Sequence, residues 1–230
     1  MAILYIDIET LPTQNPILIQ QFKDSVKAPG NYSKQESIDK WLEENRDSEA
    51  DKLHRKTSFD GLHGEIFSIA WAIDDEPVQV VYRKGNRTEF DLLHAFFDGI
   101  TDLKDKYGNT SLISKWVGHY ITGFDLRYIW QRCVVNGVRP TVYIPYDVKP
   151  WDDKVFDTKC EWTGTGQYSG AGSLDALSKA FGLDGKGDID GSKVYDYWLA
   201  GRFDEIAEYN KDDVVKCREL YKRMNFIVEA

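Results

Sequence analysis

Hydrophobic positions change their spacing repeatedly along the chain, and the changes divide it into elements. Residues 2 to 9 are an apolar run of β character within "AILYIDIETL". Residues 13 to 60, "TQNPILIQQFKDSVKAPGNYSKQESIDKWLEENRDSEADKLHRKTSFD", are polar, charge-rich and poor in β-branched clusters. They predict a helical excursion inserted after the first strand, with helices near 16–25 and 34–53. Ser33 is placed to cap the second helix, with Glu36 three residues on completing a capping box. A hairpin follows over 64–84, "GEIFSIAWAIDDEPVQVVYRK", two β-rich runs parted by "DDEP". Residues 88–108 carry the apolar stripe of an amphipathic helix closing at Gly108. "SKWVGHYI" (114–121) reads as a buried strand leading into a helix through "GFDLRYIWQRCVVNG". Residues 154–160 predict a last short strand, "WTGTGQYSGAG" a loop, and everything from 173 onwards helix. With a strand and hairpin first and mainly helices afterwards, the order predicts an α/β sandwich. There is no internal repeat and no long linker, so residues 1–230 read as a single domain.

Composition narrows the class. At 42% hydrophobic and 13% aromatic residues the chain can bury a real core. No stretch approaches the roughly 20 apolar residues of a membrane span, and the N-terminus lacks the basic start and small-residue cleavage site of a signal peptide. Cys133, Cys160 and Cys217 are scattered, with no C-x-x-C pair, which predicts free thiols in a reducing compartment, the cytoplasm by default. The net charge of -9 argues against a protein that coats nucleic acid by charge alone. It leaves room for an enzyme that grips a few nucleotides and neutralises phosphate with bound metal.

Three carboxylate placements need a reason. In the first strand Asp7 and Glu9 share a face with Ile3 and Tyr5, while Leu4, Ile6 and Ile8 line the other. Their Cα atoms are expected about 6.5 to 7 Å apart, a spacing that suits one metal ion or a pair of ions, or else a solvated strand end. On the last helix, setting Ile206 at zero places Cys217, Leu220, Tyr221 and Met224 within about 60° of it and Asp213 at about -20°. The neighbouring Asp212 falls near -120° with Glu205, on the solvated side (about 100° per residue). Asp213 therefore faces inward, which is costly unless it is paired, protonated or metal-bound. Asp125, at the start of the helix after the 114–121 strand, reads as a helix cap or as a fourth member of a cation site.

"DIET" (7–10), "YITGFD" (120–125) and "YNKDD" (209–213) resemble the three motifs of DEDD-type proofreading exonucleases, with Tyr209 and Asp213 giving the Y-x-x-x-D form of the tyrosine branch. The stretch "SLDALSKAFGLDGKGDIDGSKVYDYWLAGRFDEIAEYNKDDV" (173–214) is similar to predicted exonucleases related to the proofreading domain of family B polymerases, in which a GKxxxDGS-like segment precedes a GRxxEIxxY…DV helix. The resemblance covers about 3–12, 64–73, 116–130 and 154–217. It implies a ribonuclease H-like mixed five-stranded sheet flanked by helices, with the helical insertion after the first strand. Where the family usually carries Asn in its second motif, this chain has Tyr120, beside His119.

The resemblance further implies a two-metal-ion 3′–5′ exonuclease using Mg²⁺ or Mn²⁺ and releasing nucleoside 5′-monophosphates. Asp7, Glu9 and Asp213 would hold the ion that binds the attacking water; Asp7 would bridge to a second ion supported by Asp125. Tyr209 would orient the water. Thr10, Leu11, Tyr120, Phe124 and Lys186 are the candidates to contact substrate, whereas Asp157, Asp188, Asp190 and Asp196 read as turn or supporting residues. The expected substrate is a single-stranded DNA 3′ end, with an RNA 3′ end as the alternative. A non-catalytic end-binding module is the third reading, against which all four carboxylates and the tyrosine are present. The chain length predicts a free-standing enzyme serving any polymerase or repair partner in trans, and the expected setting is the cytoplasm of a bacterial or phage-infected cell.

Overall fold

The computed structural model describes residues 2–101, 112–164, 172–183 and 189–227. A five-stranded sheet runs in the order β3-β2-β1-β4-β5, formed by β1 (Ala2–Leu11), β2 (Glu65–Ile73), β3 (Gln79–Tyr82), β4 (Ile113–Gly118) and β5 (Val155–Asp157). β1 pairs antiparallel with β2 and parallel with β4, which pairs parallel with β5. This mixed sheet flanked by helices is the ribonuclease H-like arrangement that the resemblance implies.

Alternation along β1 sorts the layers. Leu4, Ile6 and Ile8 pack with Ile69 and Trp71 under α3 (Glu89–Thr101) and α4 (Asp125–Asn136), meeting Leu92, Phe96 and Ile129. Tyr5, with Ala70, Ala72 and Val117, faces Val214 and Tyr221 of α8 (Phe203–Met224). Each large apolar side chain removed from water in these layers contributes about 1.5–3 kcal/mol, and together they fix β1 in the centre of the sheet.

The insertion after β1 consists of α1 (Pro16–Ser25) and α2 (Gln35–Lys56), closed by a 3-10 turn at Thr57–Phe59. The expected Ser33–Glu36 capping box does not form. Ser37 and Ile38 both donate backbone N–H groups to the Lys34 carbonyl, so the helix starts one residue later and Lys34 occupies the cap with no side-chain bond. β4 stops at Gly118, short of the expected residue 121, because Asp157 draws the backbone of Tyr120 and Thr122 into a turn. The expected strand over 154–160 is confined to Val155–Asp157. Asp157 then accepts from the Lys159 and Cys160 N–H groups and starts α5 (Thr158–Thr163). α6 (Leu174–Ala180) and α7 (Val194–Leu199) complete the described helices. The expected end of the 88–108 helix and much of the expected loop around 162–172 lie outside the described residues. Among those residues no helix is long and apolar enough to cross a membrane.

Candidate active site

The site forms at the C-terminal ends of β1 and β4. Beyond Tyr5, which pairs with Val117, β4 no longer flanks β1, and Asp7 and Glu9 follow on the face that α8 covers. Their partners on β2 are small: Ala70 lies opposite Asp7 and Ser68 opposite Glu9, leaving room for side chains of α8 to descend. Asp213 does so, with a relative exposure of 7%. One carboxylate oxygen from each of Asp7, Glu9 and Asp213 lies within 4.8 Å of the others.

Asp125 enters from the opposite side, at the first residue of α4, and its carboxylate accepts the Ile8 N–H at 3.2 Å. It lies in the field of Asp7 but outside the three-residue group. The turn that delivers it is strained: Tyr120 has φ +60, a left-handed conformation costly for a side chain of that size. The fully buried Asp157 holds it there, accepting from the N–H groups of Tyr120 (3.0 Å) and Thr122 (3.1 Å) and from the Thr122 hydroxyl (2.6 Å).

Crowding four acids in a dry place raises every one of them. Burial pushes Asp7 well above the usual carboxylate range, and the charges of Asp125, Asp213 and Glu9 push it further, while the Asn210 amide pulls it down. Glu9 rises through burial and then through Asp213 and Asp125. Burial lifts Asp125 to about 7 against the pull of the backbone N–H groups of Asp125 and Ile8. Asp213 is also raised by burial, with Lys216 opposing. The Tyr209 hydroxyl bonds to Asp213 and is raised by burial and by Glu9, Asp213 and Asp7, so it keeps its proton throughout the physiological range.

A donor set made only of carboxylate oxygens, repelling one another and half shut off from water, suits a hard divalent cation. A family model described as "Predicted 3'-5' exonuclease related to the exonuclease domain of PolB" matches residues 65–230. The chain belongs to that family.

The matched range holds Asp125, Tyr209 and Asp213, whereas Asp7 and Glu9 precede it. The link to those two is the packing of β1 beneath α8. A solved structure of similar fold is that of the family B DNA polymerase from the hyperthermophilic archaeon Pyrobaculum calidifontis, with a TM-score of 0.59 at 17% identity. The match covers 98% of this chain and 24% of that polymerase, so the chain spans about a quarter of its length. No curated protein matches.

Other sequence candidates fall in different surroundings. Thr10 is half-buried and donates its hydroxyl to the Ser58 carbonyl at 2.8 Å. Leu11 is wholly buried with Phe67, Val194 and Ile206. Its side chain is packed as core against β2, α7 and α8, where β1 continues through residue 11. The Tyr120 ring stacks beneath the Lys159 ammonium at 4.3 Å, and Phe124 is half-buried against Tyr128. Lys186 and Asp188 lie outside the described residues. Asp190 caps a short turn at Ser192, and Asp196 pairs with Arg55 at 2.8 Å.

Two residues of α8 were not singled out by the motifs. Asn210 donates to Asp7 at 2.7 Å while accepting from the Ser68 hydroxyl at 2.8 Å, which fixes the Asp7 rotamer. Lys216 reaches both Asp213 (3.0 Å) and Asp212 (2.8 Å). Asn210 falls about 40° from Ile206 on the helix, inside the apolar stripe, so the test that exposes Asp213 exposes Asn210 as well. Asn210→Ala is expected to lower hydrolysis of a 3′-labelled strand by about 10- to 100-fold, the usual cost of losing a group that orients a metal ligand. Activity within twofold of wild type would remove Asn210 from that role.

Proposed function

We propose that the protein is a metal-dependent 3′–5′ exonuclease that removes nucleoside 5′-monophosphates from single-stranded DNA 3′ ends. The observation that carries this reading is the convergence of Asp7, Glu9 and Asp213 within 4.8 Å, over Asp125 at the head of α4. Asp7, Glu9 and Asp213 would hold one divalent ion, Mg²⁺ or Mn²⁺, and Asp125 would support a second alongside Asp7. When bound, such ions supply an activated water and neutralise charge developing on the phosphate and the departing 3′ oxygen.

The chain's own groups do the positioning. Asp7 is held by Asn210, and Asp213 by Lys216 and the Tyr209 hydroxyl. A tyrosine raised so far by burial and by the neighbouring acids keeps its proton and cannot take another from water at neutral pH. Tyr209 therefore orients the nucleophile through its O–H and is not its base. Lys216, bound between two carboxylates, offsets part of their repulsion and keeps Asp213 turned inward.

The test is a 3′-labelled strand incubated with Mg²⁺ or Mn²⁺, with EDTA as control, offered as single-stranded DNA, duplex DNA and RNA. Release of labelled mononucleotide from single-stranded DNA, abolished by EDTA, is the expected result. Asp213→Ala should eliminate it and the half-exposed Asp212→Ala should reduce it only modestly. The reverse order would overturn the assignment of α8, and preferential degradation of RNA would overturn the substrate.

A further inference from the structure

The insertion between β1 and β2 contributes little to the core. α1 buries no residue and α2 buries only Ala50 and His54. Yet the turn that closes it is tied down from several sides. The Thr57 hydroxyl donates to the His54 carbonyl at 2.7 Å and accepts the Thr13 N–H at 2.9 Å. Arg132, buried on α4, donates to the Gly61 carbonyl at 3.1 Å, and the Gly64 N–H returns to the Asp60 carbonyl at 2.8 Å. Gly64 itself admits no side chain: a Cβ there would stand 2.3 Å from the Tyr128 hydroxyl and 2.4 Å from the Thr57 carbonyl.

On this fixed backbone stands Phe59, with 73% of its surface open to solvent. An exposed apolar side chain is ordinary on a protein surface, and Ile17, Leu62 and Trp151 are about as open. What sets Phe59 apart is its neighbours. The Ser58 carbonyl accepts the hydroxyl of Thr10, the residue directly after Glu9. The Phe59 ring lies 6.4 Å from that of Phe124, the residue directly before Asp125. Phe59 thus touches the neighbour of Asp125 and follows Ser58, which is bonded to the neighbour of Glu9, and this places it beside the carboxylate site. Asp60 follows it, and the chain is acidic overall, so an uncharged base suits this spot better than a phosphate.

We propose that the insertion serves to present Phe59 as a stacking platform for the nucleobase at the 3′ end of a single strand. The proposal rests on the exonuclease reading for the position of the strand. It adds that the base is gripped by its π-face, without regard to sequence, because all four bases offer one. A preformed platform of this kind loses little side-chain freedom on binding, and it would hold the terminal nucleotide while the carboxylates act on the phosphate behind it.

The experiment is a cycle between protein and substrate. Strands carrying 3′-terminal phosphorothioates, with either a normal or an abasic terminal nucleotide, are titrated against wild type, Phe59→Ala and Phe59→Tyr by fluorescence anisotropy in Ca²⁺. Removing the terminal base should weaken wild-type binding by about 5- to 100-fold, the range set by one base–aromatic stack. Phe59→Ala should weaken binding of the normal strand by a similar factor and be indifferent to the abasic change, while Phe59→Tyr keeps the wild-type pattern. All three proteins should melt alike, since the ring is exposed. If Phe59→Ala loses as much as wild type on removal of the base, or binds the normal strand as tightly, the platform is overturned. Hydrolysis of unmodified strands by wild type is scored separately. Turnover without base-dependent binding at Phe59 defeats the platform alone, and base-dependent binding at Phe59 without turnover defeats the exonuclease reading alone.

Discussion

Replacing Asp7 with asparagine is expected to abolish hydrolysis and, in the same protein, to raise the melting temperature measured in EDTA. The side chain keeps its shape and can still accept the Asn210 amide, so no cavity and no orphaned donor result. What disappears is one negative charge from a cluster in which Asp125, Asp213 and Glu9 all oppose it. Each pKa unit of displacement corresponds to about 1.4 kcal/mol, and a domain of this size gains about 2–4 °C per kcal/mol. The metal-free variant should therefore melt several degrees above wild type at pH 8.

The sign of the pH dependence follows from the same crowding. These acids are raised in the folded protein, so the folded state binds more protons than the unfolded chain at pH values above the unfolded value near 4. The site's contribution to stability consequently falls as pH rises from about 4 through the folded range, which for Asp125 is about 7. Asp7→Asn should flatten that fall. Adding Mg²⁺ should reverse the ranking, because an ion that binds only the native carboxylates stabilises wild type by mass action. On the proposal that Asp7 holds the catalytic ion, its loss should cost at least about 10³-fold in rate, on the order of 4 kcal/mol of barrier. Equal melting temperatures in EDTA would show that Asp7 is not crowded, and turnover within tenfold of wild type that it is not essential.

The parts of the site visible in the sequence are those governed by a period. Strand alternation puts Asp7 and Glu9 with Tyr5, and helical spacing turns Asp213 inward and Asp212 outward; both placements need only neighbours along one element. Asp157 shows the limit. Its five hydrogen bonds join β5 and α5 to the turn after β4, and no local pattern announces a carboxylate that gathers donors from 35 residues away. The same holds for the cap of α2, where Ser33 had the right chemistry but the backbone took Lys34 as its first acceptor. Alternation puts Leu11 on the side of Asp7 and Glu9 but does not say what covers it there: Phe67, Val194 and Ile206 close over its side chain, and two of those come from elements some 180 residues or more away. Phe59 could not be singled out at all, since exposure depends on what the insertion leaves uncovered.

The largest stability effect is expected away from the carboxylates, at Glu89 and Arg132. Both are buried, at 6% and 5% exposure. They pair through two hydrogen bonds of 2.9 and 2.6 Å. Glu89 also accepts from the Ile66 N–H at 2.7 Å and the Asn136 amide at 2.8 Å, while Arg132 holds the Gly61 carbonyl. One pair thus joins α3, α4, β2 and the turn bearing Phe59. Glu89→Ala would strand a buried guanidinium and the buried Ile66 N–H, while the half-buried Asn136 amide keeps the Arg132 carbonyl, with an expected loss of about 3–5 kcal/mol, or a melting temperature lower by about 10 °C. An apolar double replacement, Glu89→Leu with Arg132→Met, removes the uncompensated charge but still leaves the Ile66 N–H and Gly61 carbonyl without partners. It should recover only part of the loss, unlike an isolated buried ion pair, whose apolar replacement is often neutral. A single Glu89→Ala variant within about 1 kcal/mol of wild type would mean that water reaches the pair. The double variant also separates two roles, because it frees the Phe59 turn while leaving the carboxylates in place: its affinity for a 3′ base should fall even at temperatures where the fold is intact.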